Sequence, residues 1–476
     1  MSIRFGTDGW RAVISDTFTF ANLRLVAQAI ADYILKEAPT GSQPQVIIGH
    51  DTRFLSDRYA AEVARVMAGN GIVAWLARGD TPTPTISYAV RHRGAAAGVM
   101  ITASHNAPRY NGVKLKAAYG GAASPEQNGR VEAYLDAAQA EGRGPNQVDA
   151  QAAIRDGLIQ RFDPAWAYYE HLDTLVNLDV ISRGELRVVV DAMYGSGRGC
   201  FGEMLARTRT RVREIRGEMN PGFGGIHPEP MARYLNALAA AIQTDHADVG
   251  LATDGDADRI GAMDAKGNFV DAHHIFALVL RYLVEARGWR GPVVKTVSTT
   301  QMIDRLAARY GLPLYQTPVG FNHIAEHMLR EDVLMGGEES GGMSIRGHIP
   351  EGDGILMGLL LLEVLAAAAA PLCELVADLQ HAVGPTHYAR RDVQLRHRVA
   401  KAEMAARLVD GAPGQIGGQT VRTVDTQDGV KYCLADESWL LIRPSGTEPV
   451  LRVYAEAPSP RQVEALLAFG QQVAEV

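Results

Sequence analysis

The sequence predicts an α/β protein of several domains, with a smaller α+β domain at its C-terminal end. Short β-rich runs alternate with longer amphipathic stretches over most of the chain, which is typical of α/β units. The chain has 476 residues, which is too many for one hydrophobic core and suits about three or four domains. Beyond residue 385 the strands become closely spaced, are joined by Asp/Gly turns and are followed by one helix. This change predicts the α+β domain.

The individual elements follow from hydrophobic periodicity and from the turn residues at the breaks. In the α/β part the candidate strands are Val46–Ile48, Ile72–Leu76, Gly98–Thr102, Leu186–Asp191, Val249–Thr253, Pro292–Val297, Leu314–Thr317 and Val333–Met335. Candidate helices include Leu23–Lys36, Tyr59–Ala68 and Met302–Arg309. In the α+β part the candidate strands are Val421–Val424, Lys431–Ala435, Trp439–Ile442 and Leu451–Ala455. The candidate linkers are Gly142–Ala150 and Gly384–His387.

The composition excludes several classes of function. A net charge of -7 with 47% hydrophobic residues is typical of a soluble globular protein and predicts no nucleic-acid partner. The three cysteines lack metal-ligand or CxxC spacing, so we expect reduced thiols and a cytoplasmic location. The longest apolar stretch, Ile355–Ala370, is interrupted by Glu363 and is shorter than the roughly 20 residues of a membrane span. It predicts a buried core helix and no membrane contact.

Ser104 stands in the polar segment Thr102–Asn106, after an apolar run that ends at Ile101. Ligands of open α/β sheets bind beyond the carboxyl ends of the strands, so this segment is well placed for a nucleophile. A serine in such a loop is more often a turn or cap residue. The chain has no G-x-S-x-G motif, which argues against an α/β-hydrolase site.

Three aspartates at alternate positions, Asp254, Asp256 and Asp258, follow another candidate strand. Such carboxylates repel one another in a partly buried site unless a cation neutralises them. Their hard oxygen atoms suit Mg²⁺. An acidic surface turn and a Ca²⁺ loop are the alternatives, but an EF-hand would need glycine at Arg259 and glutamate at Ala265.

Two further segments contain groups that suit a sugar phosphate. In Gly336–Gly342, Glu338 and Ser340 could exchange hydrogen bonds with vicinal hydroxyls, although a plain glycine turn is the simpler interpretation. The segment that begins at Arg443 offers an oxyanion cradle made of one guanidinium, two hydroxyls and a backbone amide. Its further members are Ser445, Gly446 and Thr447. The chain contains no Gly-Lys pair, which excludes a nucleotide P-loop.

Together these four segments resemble the α-D-phosphohexomutase family, which includes phosphoglucomutases and phosphomannomutases. The resemblance runs from Phe5–Arg11 to the Arg443 segment and so covers nearly the whole chain. It implies four domains around one central cleft: three similar α/β domains and the C-terminal α+β domain. We expect them at residues 1–160, 161–272, 273–385 and 386–476, carrying in turn a phosphoserine, a metal, a sugar-recognition and a phosphate-binding loop.

The resemblance also implies roles for the site residues. Ser104 would carry the phosphoryl group, and a phosphoserine oxygen would bind Mg²⁺ together with Asp254, Asp256 and Asp258. Glu338 and Ser340 would contact sugar hydroxyls. The substrate's other phosphate would be held by Arg443, Ser445, Gly446 and Thr447. Arg11, His105, Lys114 and Arg259 match positions that flank the phosphoserine, and we leave open whether His105 or Lys114 is the general base.

Two departures from the family pattern affect the substrate site. Many relatives have lysine where Asn322 stands, so we expect a phosphate contact either to be missing or to be supplied by His323. Many bacterial relatives end the sugar loop in histidine where this chain has Gly342. His348, which follows shortly afterwards, is expected to do part of that work.

The activity that the resemblance implies is interconversion of a hexose 1-phosphate and a hexose 6-phosphate through a hexose 1,6-bisphosphate. We expect Mg²⁺ as cofactor and glucose 1,6-bisphosphate as activator. The Glu338–Glu339 pair, with the segment His348–Gly354 after it, resembles phosphoglucomutases more than phosphoglucosamine mutases. Glucose is therefore the expected sugar, with mannose, or both sugars, as the alternative. A metal-dependent sugar phosphatase and a non-catalytic sugar-phosphate sensor are less favoured. The only partner expected is a small-molecule sugar phosphate, and the protein is expected to be a monomer or weak homodimer.

Overall fold

The structure is a computed structural model that describes residues 3–6, 8–37, 43–395, 401–444 and 450–475. Within these residues the chain forms four β-sheets that follow one another along the sequence. The first three sheets contain parallel strands with helices between them, and the fourth is antiparallel. The predicted class, three α/β domains and a C-terminal α+β domain, is therefore confirmed.

The first sheet has seven strands in the order β1-β5-β4-β2-β3-β7, with β6 paired to β5. Its strands are β1 (Trp10–Val13), β2 (Gln45–His50), β3 (Val73–Ala77), β4 (Ala97–Ile101), β5 (Tyr110–Ala117), β6 (Gly121–Ala122) and β7 (Ile159–Phe162). Its helices are α1 (Phe20–Glu37), α2 (Ser56–Gly69), α3 (Thr83–Arg93), α4 (Pro125–Ala140) and α5 (Ala150–Arg155). The expected boundary at residue 160 falls inside β7, which pairs with β3. Placing the boundary after Phe162 keeps this sheet whole.

The second sheet has five strands in the order β12-β11-β10-β8-β9. They are β8 (Arg187–Asp191), β9 (Arg211–Ile215), β10 (Val249–Thr253), β11 (Ile260–Asp264) and β12 (Phe269–Val270). The accompanying helices are α6 (Ala165–Leu175), α7 (Leu178–Gly184), α8 (Cys200–Leu205) and α9 (Asn236–Asp245). Strand β10 is buried along its whole length, and the acidic triplet follows its carboxyl end.

The third sheet has four strands in the order β14-β13-β15-β16. They are β13 (Val293–Thr296), β14 (Leu314–Thr317), β15 (Met335–Gly337) and β16 (Met343–Ile345). The helices are α10 (Ala272–Glu285), α11 (Met302–Tyr310), α12 (Phe321–Arg330), α13 (Gly354–Ala368) and α14 (Leu372–Val383). The sugar-recognition segment forms the connection between β15 and β16.

The fourth sheet is a six-stranded antiparallel sheet in the order β17-β22-β21-β20-β19-β18. Its strands are β17 (His387–Gln394), β18 (Gln415–Ile416), β19 (Gln419–Asp425), β20 (Val430–Leu434), β21 (Trp439–Pro444) and β22 (Val450–Ala457). Helices α15 (Lys401–Asp410) and α16 (Pro460–Glu475) complete the domain. Arg443 lies near the end of β21.

The apolar stretch that contains Glu363 is the buried helix α13, as predicted. It lies in one hydrophobic core that the second and third domains share. Glu363 is buried because its carboxylate is fully paired: it accepts hydrogen bonds from Tyr282 Oη (2.7 Å) and the Asn177 backbone amide (2.8 Å), and it forms an ion pair with Arg287 (2.6 Å). Across the described ranges no single helix is long and apolar enough to cross a membrane; the bent pair α13 and α14 passes that test by length and composition only.

Candidate active site

Ser104 lies where the first two domains meet. It follows the carboxyl end of β4, is fully buried and has a left-handed backbone with φ of +50°. Its Oγ donates a hydrogen bond to Asp254 Oδ2 over 2.8 Å, and His105 Nδ1 lies 3.4 Å from the same Oγ. The serine of one domain therefore faces the acidic loop of the next, although 150 positions separate the two residues in the chain.

The three aspartates form a cluster that suits a metal ion. One oxygen from each of Asp254, Asp256 and Asp258 lies within 4.8 Å of the other two, and all three residues are buried. Oδ1 of Asp256 and Oδ1 of Asp258 are buried without a hydrogen-bond partner among the described residues. Burial and the two neighbouring carboxylates hold the pKa of Asp254 well above its usual range. This donor set fits Mg²⁺, which prefers carboxylate oxygens.

Lys114 is the buried cation beside this cluster. Its Nζ lies 2.7 Å from Asp258 Oδ2, 2.9 Å from Asp256 Oδ2 and 2.7 Å from Asp8 Oδ2. Burial opposes the charge of Lys114, but the surrounding carboxylates outweigh it and hold its pKa well above the usual range. Because Lys114 stays protonated, it can neutralise charge on a phosphoryl group at Ser104.

The loop of the three aspartates also touches the backbone of the loop that carries Ser104. A Cβ on Gly255 would lie 2.5 Å from the carbonyl oxygen of Ser104 and 3.2 Å from Pro228 Cγ. Thr83 adds a contact from the first domain, since its Oγ1 donates to Asp256 Oδ2 over 2.5 Å. Glycine is therefore required between the first two aspartates for the two loops to approach.

Arg11, Arg259 and His105, the other residues expected to flank Ser104, lie near Ser104 and the three aspartates. Arg11 Nη1 donates to Asn106 Oδ1 over 2.7 Å, and Arg259 Nε lies 3.7 Å from Asp258 Oδ1. Burial, together with the charges of Arg259 and Arg11, holds the pKa of His105 well below its usual range. His105 is thus a neutral imidazole that can exchange a proton near Ser104 Oγ.

The sugar-recognition segment turns tightly after β15. Glu338 Oε1 accepts a hydrogen bond from the Gly320 amide over 2.9 Å, and Ser340 is partly buried in the same turn. Burial and the adjacent charge of Glu339 raise the pKa of Glu338 to about 8. Glu339 itself is held from the side by Ser298 Oγ, which donates to its Oε2 over 2.6 Å. Glu338 therefore has a raised pKa, and Glu339 anchors the turn.

A cavity of about 300 Å³ lies between the first, third and fourth domains. Asn322, His323 and Arg443 line it, so the structure brings the expected His323 and Arg443 together. Asp428 orients the guanidinium, with its Oδ2 2.6 Å from Arg443 Nε. The other expected members of the phosphate loop, Ser445, Gly446 and Thr447, lie outside the described residues.

His348 does not have the contacts expected of it. Its Nδ1 lies 3.0 Å from His171 Nε2, and its Nε2 lies 2.9 Å from Asp353 Oδ2. Its side chain is fully buried, and Tyr168 Oη also donates to Asp353 Oδ2 over 2.7 Å. Both ring nitrogens are used inside the protein, so His348 has none left for a sugar hydroxyl. This corrects the expectation drawn from its position in the sequence.

Asp8 and Thr83 are site residues that no sequence pattern indicated directly. Asp8 lies in the segment Phe5–Arg11, which resembles the α-D-phosphohexomutase family. Arg11, a predicted site residue of the same segment, was therefore the signal that could have indicated Asp8. Thr83 begins α3, and no local pattern distinguishes it from a helix-terminal threonine. Its partner Asp256 is 173 positions away, which is why only the fold reveals the pair.

Four family models match successive parts of the chain. They are described as phosphoglucomutase/phosphomannomutase, alpha/beta/alpha domain I for residues 2–141, domain II for residues 166–267 and domain III for residues 271–383, and as the C-terminal domain for residues 395–469. The matches follow the order of the four sheets.

Similar proteins carry the names of several sugars. A phosphoglucosamine mutase of Heliobacterium modesticaldum is 32% identical, with 97% of each chain covered. A phosphoglucomutase/phosphomannomutase of Thermococcus kodakarensis is 28% identical, with 99% of this chain and 98% of that one covered. The crystal structure of a putative phosphomannomutase from Thermus thermophilus has a TM-score of 0.86 at 36% identity and covers both chains completely.

Proposed function

The chain belongs to the phosphoglucomutase/phosphomannomutase family of α-D-phosphohexomutases, and we propose that it interconverts glucose 1-phosphate and glucose 6-phosphate through a phosphorylated Ser104. Members of this family are isomerases that move a phosphoryl group within a sugar phosphate. The proposal adds the sugar, the nucleophile and the bisphosphate intermediate.

The observation that carries the proposal is the contact between Ser104 Oγ and Asp254 Oδ2 at 2.8 Å. It joins a serine nucleophile to three carboxylates that suit Mg²⁺. Asp254, Asp256 and Asp258 would hold the ion together with an oxygen of phosphoserine. Mg²⁺ bound there would neutralise charge on the transferred phosphoryl oxygens.

The residues of the chain divide the remaining work. Arg443 would hold the phosphate that is not being transferred, with His323 beside it on the same cavity wall. Glu338 and Ser340 would orient the ring through its hydroxyls. The hydroxyl to be phosphorylated would then face phosphoserine 104, with Lys114 and Arg259 neutralising the charge of the group in transfer.

The two half-reactions need only one binding site for the phosphate that is not transferred. Ser104 first gives its phosphoryl group to the 6-hydroxyl of glucose 1-phosphate. The resulting glucose 1,6-bisphosphate would rotate end to end within the active site and return its 1-phosphoryl group to Ser104. Because the bisphosphate carries phosphate at both ends, the phosphate-binding site at Arg443 can hold the sugar in either orientation.

The choice of glucose depends on the double glutamate of the sugar-recognition segment. Mannose is the second candidate, because the putative phosphomannomutase of known structure is 36% identical to this chain. Glucosamine must be tested as well, since a phosphoglucosamine mutase is 32% identical. The three sugars differ at C2.

A steady-state assay tests the proposal. Purified protein with Mg²⁺ and a trace of glucose 1,6-bisphosphate is offered glucose, mannose and glucosamine 1-phosphates in parallel. We expect the highest kcat/KM for glucose, and equal or higher values for another sugar would refute that choice. Release of inorganic phosphate in place of a hexose 6-phosphate would instead identify a phosphatase, and binding without turnover would identify a sensor.

A further inference from the structure

Arg53 is a buried cation that the sequence motifs and the mechanism above leave without a role. It follows the carboxyl end of β2 in the short turn that leads into α2, and it is only 3% exposed. Its guanidinium lies against the backbone of residues 104–110. A buried arginine is stable only when its charge is paired and its donors are satisfied.

The hydrogen bonds of Arg53 account for all five N–H groups that a guanidinium has. Nε donates to Asp51 Oδ2 over 3.1 Å, and the other four donors reach backbone carbonyl oxygens of residues 104–110, which lead from the Ser104 loop to the start of β5. These four bonds are to Ser104 (2.5 Å) and Asn106 (2.7 Å) from Nη2, and to Ala107 (3.0 Å) and Tyr110 (3.0 Å) from Nη1. No donor remains for a substrate, so Arg53 can act only through the loop.

The partner of Arg53 holds the same serine from its other side. Asp51 Oδ2 accepts a hydrogen bond from Thr102 Oγ1 over 2.6 Å, and Thr102 Oγ1 in turn accepts one from the Ser104 amide over 2.8 Å. The amide and the carbonyl of Ser104 are thus both tied to the Asp51–Arg53 pair. This matters because Ser104 has a φ of +50°, a conformation that a non-glycine residue keeps only when its surroundings enforce it.

One face of the guanidinium is covered by the second domain. The centre of the Phe223 ring lies 4.9 Å from Arg53 Cζ, within the range of a cation–π contact. The neighbouring Thr52 also reaches this domain, since its Oγ1 donates to the carbonyl of Tyr194 over 2.7 Å. The group that fixes the phosphoserine loop therefore also contacts the domain that carries Asp254.

We infer that Arg53 is a positioning residue, which keeps Ser104 in line with the metal loop by holding four carbonyls of the phosphoserine loop, and that Phe223 couples it to the second domain. This inference rests on the proposed function, since it assumes that Ser104 transfers the phosphoryl group. Lysine cannot replace Arg53, because an ammonium has three donors and no planar fork.

The test compares Arg53→Lys with Phe223→Leu and with a control, Arg287→Lys. Arg287 is also largely buried, pairs with Glu363 and donates to the Leu175 carbonyl over 2.8 Å. Both partners belong to the core that the second and third domains share. For each protein we would measure kcat and KM for the hexose 1-phosphate that wild type uses, the melting temperature, and amide hydrogen exchange in a peptide that covers residues 102–111. Phe223→Leu removes the ring but keeps the arginine, so it still gives a result if Arg53→Lys does not fold.

We expect Arg53→Lys to lower kcat about a hundredfold, as misplacement of a reacting group does, while KM stays within about threefold. Phe223→Leu should give a smaller fall in kcat, and both variants should exchange the loop amides faster. Arg287→Lys should keep kcat and the loop exchange of wild type. The inference is overturned if Arg53→Lys and Phe223→Leu keep wild-type kcat, or if kcat falls only as far as in Arg287→Lys at a matched loss of melting temperature. An inactive wild type would refute the proposed function instead, and faster loop exchange would still test the hold of Arg53 on the loop.

Discussion

Substitution of Gly255 by alanine tests whether the two loops must touch for the reaction to proceed. The new Cβ would lie 2.5 Å from the Ser104 carbonyl oxygen, whereas an ordinary contact begins near 3.4 Å. The loops must therefore separate by about 0.9 Å, and Pro228 Cγ, 3.2 Å from the same Cβ, is also closer than an ordinary contact. A misplacement of about 1 Å lowers a rate by roughly a hundredfold, which corresponds to about 2.7 kcal/mol of barrier.

The matched control is Gly202→Ala in α8 of the same domain. A Cβ there meets no atom within 4 Å, so we expect wild-type kcat and a gain of up to about 1 kcal/mol from better helix propensity. Both variants would be assayed for mutase turnover and for unfolding by urea. If Gly255→Ala keeps more than a third of wild-type kcat while remaining folded, close contact between the loops is not needed and the geometric reasoning is wrong.

Three further predictions concern the metal, the sugar loop and the core. Asp256→Asn should raise the Mg²⁺ concentration for half-maximal activity by at least the ~10–100-fold typical of a lost outer-shell partner, and an unchanged Mg²⁺ titration would contradict the metal assignment. Because the pKa of Glu338 is raised to about 8, the ionised fraction of Glu338 grows about tenfold from pH 7 to pH 9. If ionised Glu338 binds the sugar, the ratio of the wild-type kcat/KM to that of Glu338→Gln should rise by a similar factor over this pH range. A ratio that does not change with pH would refute a role for the ionised carboxylate. Glu363→Gln should destabilise the protein by about 3–5 kcal/mol in urea unfolding, because it leaves the Arg287 charge buried without its partner, and a wild-type midpoint would contradict the pairing.

Much of the fold could be predicted from the sequence because buried strands are apolar runs that end at polar turns. The predicted limits of Val249–Thr253 and Leu314–Thr317 are those of β10 and β14. The rule that ligands gather at the carboxyl ends of strands then located the segments of Ser104, Asp254 and Glu338. Local pattern was sufficient there, since each signal lies within a few residues.

Other parts could not be predicted because their partners are far apart in the chain. Strand β5 contains Lys114 and Lys116, which are buried and so hide the apolar pattern of a core strand. Lys116 is neutralised by Glu351, 2.7 Å away, a residue of the third domain. The error at His348 has the same origin, since its partner His171 is 177 positions away. A sequence pattern does not reveal which distant side chain forms a hydrogen bond with a histidine nitrogen or pairs with a buried charge.

We propose that Ser104 carries a phosphoryl group that is transferred and restored in each turnover. Mass spectrometry of the intact protein and of its peptides, after incubation of the protein with glucose 1,6-bisphosphate and Mg²⁺, measures the phosphorylation of Ser104. We predict one added phosphoryl group, located on Ser104, which is lost when excess glucose 1-phosphate is added and appears in the sugar bisphosphate. Ser104→Ala should acquire none. A phosphoryl group on another residue, or turnover by Ser104→Ala at the wild-type rate, would contradict the account.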